Sequence, residues 1–299
     1  MRVLILGGTG FIGGALTKHY KEKGCWVKTL GRGRHGNPDI KCSLENIAEE
    51  VVNFDLIFDC ASTVNDYGLL RGSDSDIETN VLGTHVFLEA CRTFNPWARI
   101  VYVSTFFVVG DPPNLPANEE TVCRPRGIYG ATKLCAEQMC RVYADTFDLN
   151  VSIARGTNVY GPGQTVANQQ TAAFNWMVKT CVENGTIPLY DGGEVQRDYL
   201  YIDDAASAIC AVAERGRKGE TYFFGSGIPR AFKDMTNMMM TIAGGGNVQE
   251  VPSPAFHQRV GIKDFWVDLS KMVLCLKWVP KTSMMDGISG TVEWYRDAK

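Results

Sequence analysis

The chain has no excess of basic residues. Its 30 Lys and Arg face 33 Asp and Glu, a net charge of −3 at pH 7. A nucleic-acid-binding or membrane-surface protein shows a basic bias, so neither partner class is expected. No stretch approaches the roughly 20 apolar residues that a membrane span requires. The opening run Met1-Arg-Val-Leu-Ile-Leu is too short for a secretory leader and passes straight into a Gly-rich turn. The ten cysteines contain no Cys-x-x-Cys pair, Cys135 and Cys140 being the closest two. The four His do not cluster with Cys at ligand spacing, so no metal site is expected. Scattered thiols of this kind suit a reducing cytoplasm. No internal repeat is evident.

What is present is an ordinary globular composition, 45% hydrophobic and 21% charged over 299 residues, enough for one large core or two lobes sharing a cleft. The first half alternates short apolar runs with helical patterns, as parallel βαβ units do. Strands are expected at Val3–Leu6, Trp26–Leu30, Leu56–Asp59, Ile100–Ser104 and Val151–Arg155. Each is rich in Val, Ile, Leu or Phe, as strands covered on both faces should be. Helices are expected at Gly13–Lys23, Ile77–Thr93 and Tyr129–Phe147. Beyond Gly161 the pattern is less regular, and a further strand-helix unit spans Arg197–Arg215.

The run Gly7-Gly8-Thr9-Gly10-Phe11-Ile12-Gly13 follows a strand and opens a helix, the context a dinucleotide-binding turn requires. Glycines allow the tight turn and let backbone N–H groups approach a pyrophosphate, while the helix N-terminus adds partial positive charge. The fold expected is α/β, a doubly wound parallel sheet of Rossmann type with a smaller C-terminal substrate-binding lobe. An NAD site commonly ends its second strand with an acid for the ribose 2′-hydroxyl. Here the stretch reads Leu30-Gly31-Arg32-Gly33-Arg34, with no acid before Asp39. Arg32 and Arg34 suit a 2′-phosphate, so NADP is favoured slightly over NAD.

Tyr129-Gly-Ala-Thr-Lys133 places a phenol and an ammonium at i and i+4 on one helix face. A free Tyr titrates near pH 10, and a neighbouring ammonium favours its phenolate, able to exchange a proton with a sugar hydroxyl. Upstream, Val101-Tyr-Val-Ser104-Thr105 reads as a strand ending in hydroxyls. Carboxyl ends of strands face the ligand crevice in such sheets, which would bring Thr105 to the same substrate oxygen as Tyr129.

Together these residues resemble the extended short-chain dehydrogenase/reductase family, in its sugar-nucleotide epimerase/dehydratase branch. The resemblance runs over nearly the whole chain. Gly7–Gly13 matches the family's Gly-x-x-Gly-x-x-Gly turn, and Asn80-Val-Leu-Gly-Thr84 its Asn-Val-x-Gly-Thr helix start. Thr105 with Val108-Val109-Gly110, Pro125 with Tyr129 and Lys133, and Arg155 to Pro162 match further segments. So do Arg197-Asp198 with Tyr201–Asp204, and the stretch from Asp268 through Trp278-Val-Pro280 to Trp294-Tyr295.

The resemblance implies that Thr105, Tyr129 and Lys133 form the catalytic triad, Lys133 also holding the nicotinamide ribose. It implies backbone N–H contacts to the pyrophosphate from Phe11 and Ile12 within the Gly7, Gly10 and Gly13 turn, and support of the site by Asn80 from the neighbouring helix. Ala61, and Arg32 as read above, are the further cofactor contacts expected. It implies a nucleotide-sugar diphosphate on Asn158 and Arg197, and a homodimer built on the helices Ile77–Thr93 and Tyr129–Phe147. Residues 1–162 with about 195–226 would bind NAD(P), and about 163–194 with 227–299 would form the substrate lobe.

The departures from the family pattern bear on the reaction. Its 4,6-dehydratases carry Asp-Glu directly after the catalytic Thr, whereas this chain has Phe106 and Phe107, which transfer no protons. Phe58-Asp59-Cys60-Ala61 replaces the usual His-Leu-Ala-Ala, and Val109 replaces a Tyr. The activity expected is therefore epimerisation by transient oxidation at C4 of an NDP-sugar. An NADPH-dependent reductase of a keto sugar nucleotide and an atypical dehydratase are the alternatives.

Overall fold

The structure, a computed structural model, describes residues 1–33, 36–42, 46–63, 74–166, 172–255 and 261–297. Seven strands form one parallel sheet: β1 (Arg2–Leu6), β2 (Trp26–Gly31), β3 (Ile40–Lys41), β4 (Leu56–Asp59), β5 (Arg99–Thr105), β6 (Val151–Gly156) and, much later in the chain, β11 (Thr221–Phe224). Their order is β11-β6-β5-β4-β1-β2-β3, so the chain reverses its direction of travel between β1 and β4. That reversal opens a crevice at the carboxyl ends of the two strands.

The sheet is buried on both faces because its strands are apolar on both sides. On one face lie α1 (Phe11–Glu22) and α7 (Ile202–Arg215), which bring Leu16, Tyr20, Ala205 and Ile209 against Val3, Phe58 and Val101. On the other lie α4 (Gly83–Phe94) and α5 (Ile128–Thr146), packing Phe87, Cys91, Ala136 and Cys140 on Leu4, Ile57 and Tyr102. Short helices α2 (Ile47–Glu50) and α3 (Asp74–Asp76) complete that side. The helix expected at Ile77–Thr93 begins differently: Ile77–Leu82 is a π-helical turn, and regular α-helix starts only at Gly83. Single π turns widen a helix locally and recur at functional sites.

The second half adds a smaller assembly. Helices α6 (Ala173–Val182) and α8 (Phe232–Ala243) pack with the C-terminal helix Met284–Asp297 around Phe174, Met177, Met235, Met239, Ile288 and Val292. Beside them β8 (Thr186–Tyr190) runs parallel to β13 (Asn247–Val251). The strand expected near Arg197 does not enter the main sheet. It divides into β9 (Gln196–Arg197), paired with β12 (Arg230–Ala231), and β10 (Tyr199–Tyr201), paired with β7 (Asn158–Tyr160). Met272, Leu276 and Trp278, from the helix Ser270–Leu276 and its exit, join the α1/α7 core.

Asp198, between β9 and β10, joins the halves. It is fully buried. Its oxygens accept from the Ser226 N–H and hydroxyl, both at 2.7 Å, and from the Gly227 N–H at 3.0 Å. A buried ion pair lies between the sheet and α5. Arg155 of β6, 1% exposed, donates to Glu137 of α5 through Nε at 2.9 Å and Nη2 at 2.5 Å.

Candidate active site

The glycine turn after β1 is built by close approach. Gly7 has φ +71°, and a Cβ there would stand 2.9 Å from the Cys60 carbonyl carbon. A Cβ on Gly13 would stand 2.3 Å from the Gly7 oxygen, and one on Gly8 2.5 Å from the Thr29 methyl. Only glycines close this turn between β1, β4 and α1. No side chain caps the N-terminus of α1 at Gly10, so the first backbone N–H groups of the helix, those of Phe11 and Ile12 among them, face the turn. An uncapped N-terminus behind a glycine turn fits a dinucleotide pyrophosphate.

Beyond β2, Arg32 is exposed and its Nη2 donates to Thr79 Oγ1 at 3.1 Å, next to Asn80. Arg34 lies outside the described residues. Asp39, the first acid after β2, turns back on the strand: its Oδ2 accepts from the Thr29 N–H at 2.8 Å and hydroxyl at 2.9 Å.

Asn80 sits in the π turn and is fully buried. Its Oδ1 accepts from the Ser62 hydroxyl and the Thr63 N–H, both at 3.1 Å. Its Nδ2 donates to the Thr63 carbonyl and the Thr132 hydroxyl, again at 3.1 Å. Thr132 in turn donates to the Tyr129 carbonyl at 2.9 Å. One amide thus ties the segment after β4, which contains Ala61, to the first turn of α5.

Tyr129 and Lys133 both lie in that first part of α5 and both are buried. Tyr129 meets the ring of Phe107 edge-on at 5.7 Å. Phe107 donates its N–H to Thr105 Oγ1 at 3.4 Å, so Thr105 and Tyr129 share Phe107 as a neighbour just past the end of β5. Lys133 reaches back under the sheet edge: Nζ donates to the Val103 carbonyl at 2.8 Å and lies 4.1 Å from the Tyr102 ring centroid. Burial lowers the Lys133 pKa, and Asp59 is the leading charge opposing that fall.

Asp59 closes β4 and is 3% exposed. Burial pushes its carboxyl up to about 6, against the restraining influence of Lys133 and the Ala61 N–H. Ala61 donates to its Oδ1 at 3.1 Å. An acid ending the apolar strand Leu56-Ile-Phe-Asp59 is the sequence signal for this group, and Thr132 is hidden within the Tyr-x-x-x-Lys spacer.

Asn158 and Arg197 form a second group around Asp198. Asn158 Nδ2 donates to the Asp198 carbonyl at 3.3 Å. Arg197 Nη1 donates to the Gln196 carbonyl at 3.0 Å, and Nη2 to that of Ile262. Among the described residues, no three His, Cys, Asp or Glu side chains converge as a metal site, and no helix is long and apolar enough to cross a membrane.

A glycine turn at the crevice of a parallel sheet, with a Tyr-Lys pair beside it, defines a dinucleotide-binding α/β protein. More narrowly, residues 3–225 match the NAD dependent epimerase/dehydratase family, and the chain belongs to that family. It is 28% identical to the dTDP-glucose 4,6-dehydratase of Streptomyces niveus, over 99% of this chain and 93% of that one. Among solved structures it resembles the DesIV dTDP-glucose 4,6-dehydratase of Streptomyces venezuelae, determined with NAD bound. The TM-score is 0.88 at 26% identity, covering 99% and 97% of the two chains. Its fold also matches the UDP-glucuronic acid 4-epimerase of Bacillus cereus, determined with UDP-glucuronic acid and NAD, at TM-score 0.86 and 24% identity over all of both chains.

The buried carboxyl of Asp59 makes stability depend on pH. Its folded-state pKa, about 6, lies above the ordinary value, so the fold favours the protonated acid. That contribution is complete below about pH 4 and is lost as pH rises through about 6. Asp59→Asn abolishes this dependence. The variant should therefore gain on the wild type, by on the order of 2 kcal/mol, between about pH 4.5 and 7. Urea unfolding at several pH values measures the difference, and a constant offset would refute the assignment.

Proposed function

We propose that this chain is a nucleotide-sugar 4-epimerase that works by transient oxidation at C4. The observation that carries the reading is the pair that follows Thr105. Phe106 is buried against Phe265, with ring centroids 4.7 Å apart, and Phe107 leans on Tyr129. The carboxyls that a 4,6-dehydratase uses at these positions to eliminate water are absent, while the Thr, Tyr and Lys needed for oxidation are kept. The UDP-glucuronic acid 4-epimerase supports the reading by its fold, and the more similar dTDP-glucose dehydratase supports the substrate class.

In this reading the substrate's C4 hydroxyl lies between Thr105 Oγ1 and the Tyr129 phenol. Tyr129 accepts the O4 proton as the C4–H bond breaks and returns it when that bond is remade on the opposite face. Thr105 holds the oxygen throughout. Gly7–Gly13, Ala61 and Lys133 would hold a nicotinamide dinucleotide, with Asn80 bracing the site from behind, and the nicotinamide would supply reversible hydride acceptance. Lys133 donates to its ribose, and Asn158 and Arg197 take the diphosphate. Residues 1–162 with about 195–226 form the cofactor-binding part, and about 163–194 with 227–299 the substrate lobe.

Incubated with UDP- and dTDP-hexoses and hexuronates, the protein should exchange C4 configuration, seen by proton NMR, with no loss of mass. A product lighter by one water would establish a dehydratase instead. Tyr129→Phe should lower turnover on the order of 100-fold or more while cofactor still binds; unaltered turnover would remove Tyr129 from the chemistry.

The alternative of an NADPH-linked keto-sugar reductase rests on Arg32. Arg32→Ala should weaken NADP binding about 10-fold or more and leave NAD binding nearly unchanged, because only a 2′-phosphate gains a charge-assisted bond there. Equal losses for both cofactors, by calorimetry, would take the 2′-phosphate from Arg32.

The homodimer is proposed on α4 and α5. Leu82 just before α4, Val142 on α5 and Phe147 just after it remain about half exposed, at 49, 53 and 47%. Apolar residues left open on adjacent helices favour a partner surface. Light scattering should return twice the chain mass, and Val142→Lys should return the single-chain mass.

A further inference from the structure

Two carboxylates act on Lys133, and their situations differ. Glu137, one turn further along α5, is held by Arg155 on two nitrogens and by Arg141 Nη2 at 3.1 Å. Its charge is already answered. Asp59 has no Arg or Lys nitrogen within 4.0 Å among the described residues, and its Oδ1 accepts from the Ala61 N–H.

Strand register brings Asp59 to the lysine. It stands opposite Tyr102 in the β4–β5 ladder. Tyr102 packs on the α4/α5 side of the sheet, and Lys133 comes down from α5 onto the same ring, with Nζ 4.1 Å from the centroid. Carboxylate and ammonium are thus neighbours across one strand without touching, both almost wholly out of water. Tyr129 stands one turn back on α5, and four further titratable groups face the pair: Cys60, Cys91 of α4, Cys140 of α5 and Tyr102. Burial raises the pKa of each, so all four are neutral near pH 7. A buried ammonium without a counter-charge sheds its proton.

We propose that Asp59 is a positioning residue for Lys133, its buried carboxylate being the counter-charge that keeps the ammonium protonated at the place where it meets the cofactor ribose. This rests on the reading that Lys133 holds that ribose. Here the departure from the family's His-Leu-Ala-Ala segment acquires a purpose, since it brings a charge into a strand that otherwise holds none.

The test reads cofactor binding, not turnover. NADH affinity is followed by fluorescence from about pH 7 to 10 in the wild type, Asp59→Asn, Asp59→Glu, Lys133→Met and the double variant Asp59→Asn/Lys133→Met. In the wild type affinity falls as Lys133 loses its proton. Asp59→Asn keeps an acceptor for the Ala61 N–H but should move that fall to lower pH by about 1 unit or more. Asp59→Glu should restore most of the shift, and Lys133→Met should remove the fall and make Asp59→Asn silent. An Asn profile that overlies the wild type overturns the proposal, as does an equal effect of Asp59→Asn with and without Lys133. Should the Asn chain fail to fold, Asp59→Ser decides by the same criterion. Binding that behaves as expected in a protein that epimerises no sugar would remove the epimerase reading and leave Asp59 its role. A wild type that binds no NADH or NADPH overturns both.

Discussion

Lys133 carries its ammonium into a place that water does not reach, and much of the molecule is arranged to make that tolerable. The Val103 carbonyl accepts one of its hydrogens, and the Tyr102 ring offers its negative face. Asp59 opposes the loss of charge that burial would otherwise cause. These partners come from β5 and β4, while the lysine itself descends from α5. They meet because strand register sets the end of β4 opposite Tyr102 of the parallel strand β5. The same end of the sheet brings the Gly7 turn against Cys60 and Ala61.

Polar bonds between distant segments then hold the crevice in shape. Asn80, enclosed in a π-helical turn, uses both ends of its amide to bind the segment after β4 to the start of α5. Asp198 does the corresponding work for the second half, gathering the backbone of Ser226 and Gly227. Buried groups of this kind are costly when left unpaired, so each acts as a strong constraint on the loops it joins. The Glu137–Arg155 pair adds a third tie, between α5 and β6.

The scaffold is shared with a dTDP-glucose 4,6-dehydratase and, in fold, with a UDP-glucuronic acid 4-epimerase. Two residues after Thr105 separate those chemistries in the reading favoured above. Phe106 and Phe107 fill that position with rings that join the Phe265 cluster and shield Tyr129. In that reading the Tyr129 phenol passes one proton back and forth as the oxidation reverses itself.

The parallel sheet was legible before any coordinates, because strands covered on both faces need unbroken apolar runs and those runs are local. Five of its seven strands stood out in this way. The glycine turn was equally plain, since close backbone approach admits few residues. The other two strands, β3 and β11, were hidden: one has only two residues, and the other is reached by a long crossing back to β6. The π turn around Asn80, the division of the Arg197 segment into β9 and β10, and the return of Asp39 onto Thr29 were likewise beyond the sequence. So was the approach of Asp59 to Lys133, 74 positions later in the numbering. Periodicity reports which face of an element is apolar. Which buried charge answers which depends on register and crossing connections, and those exist only once the sheet has closed.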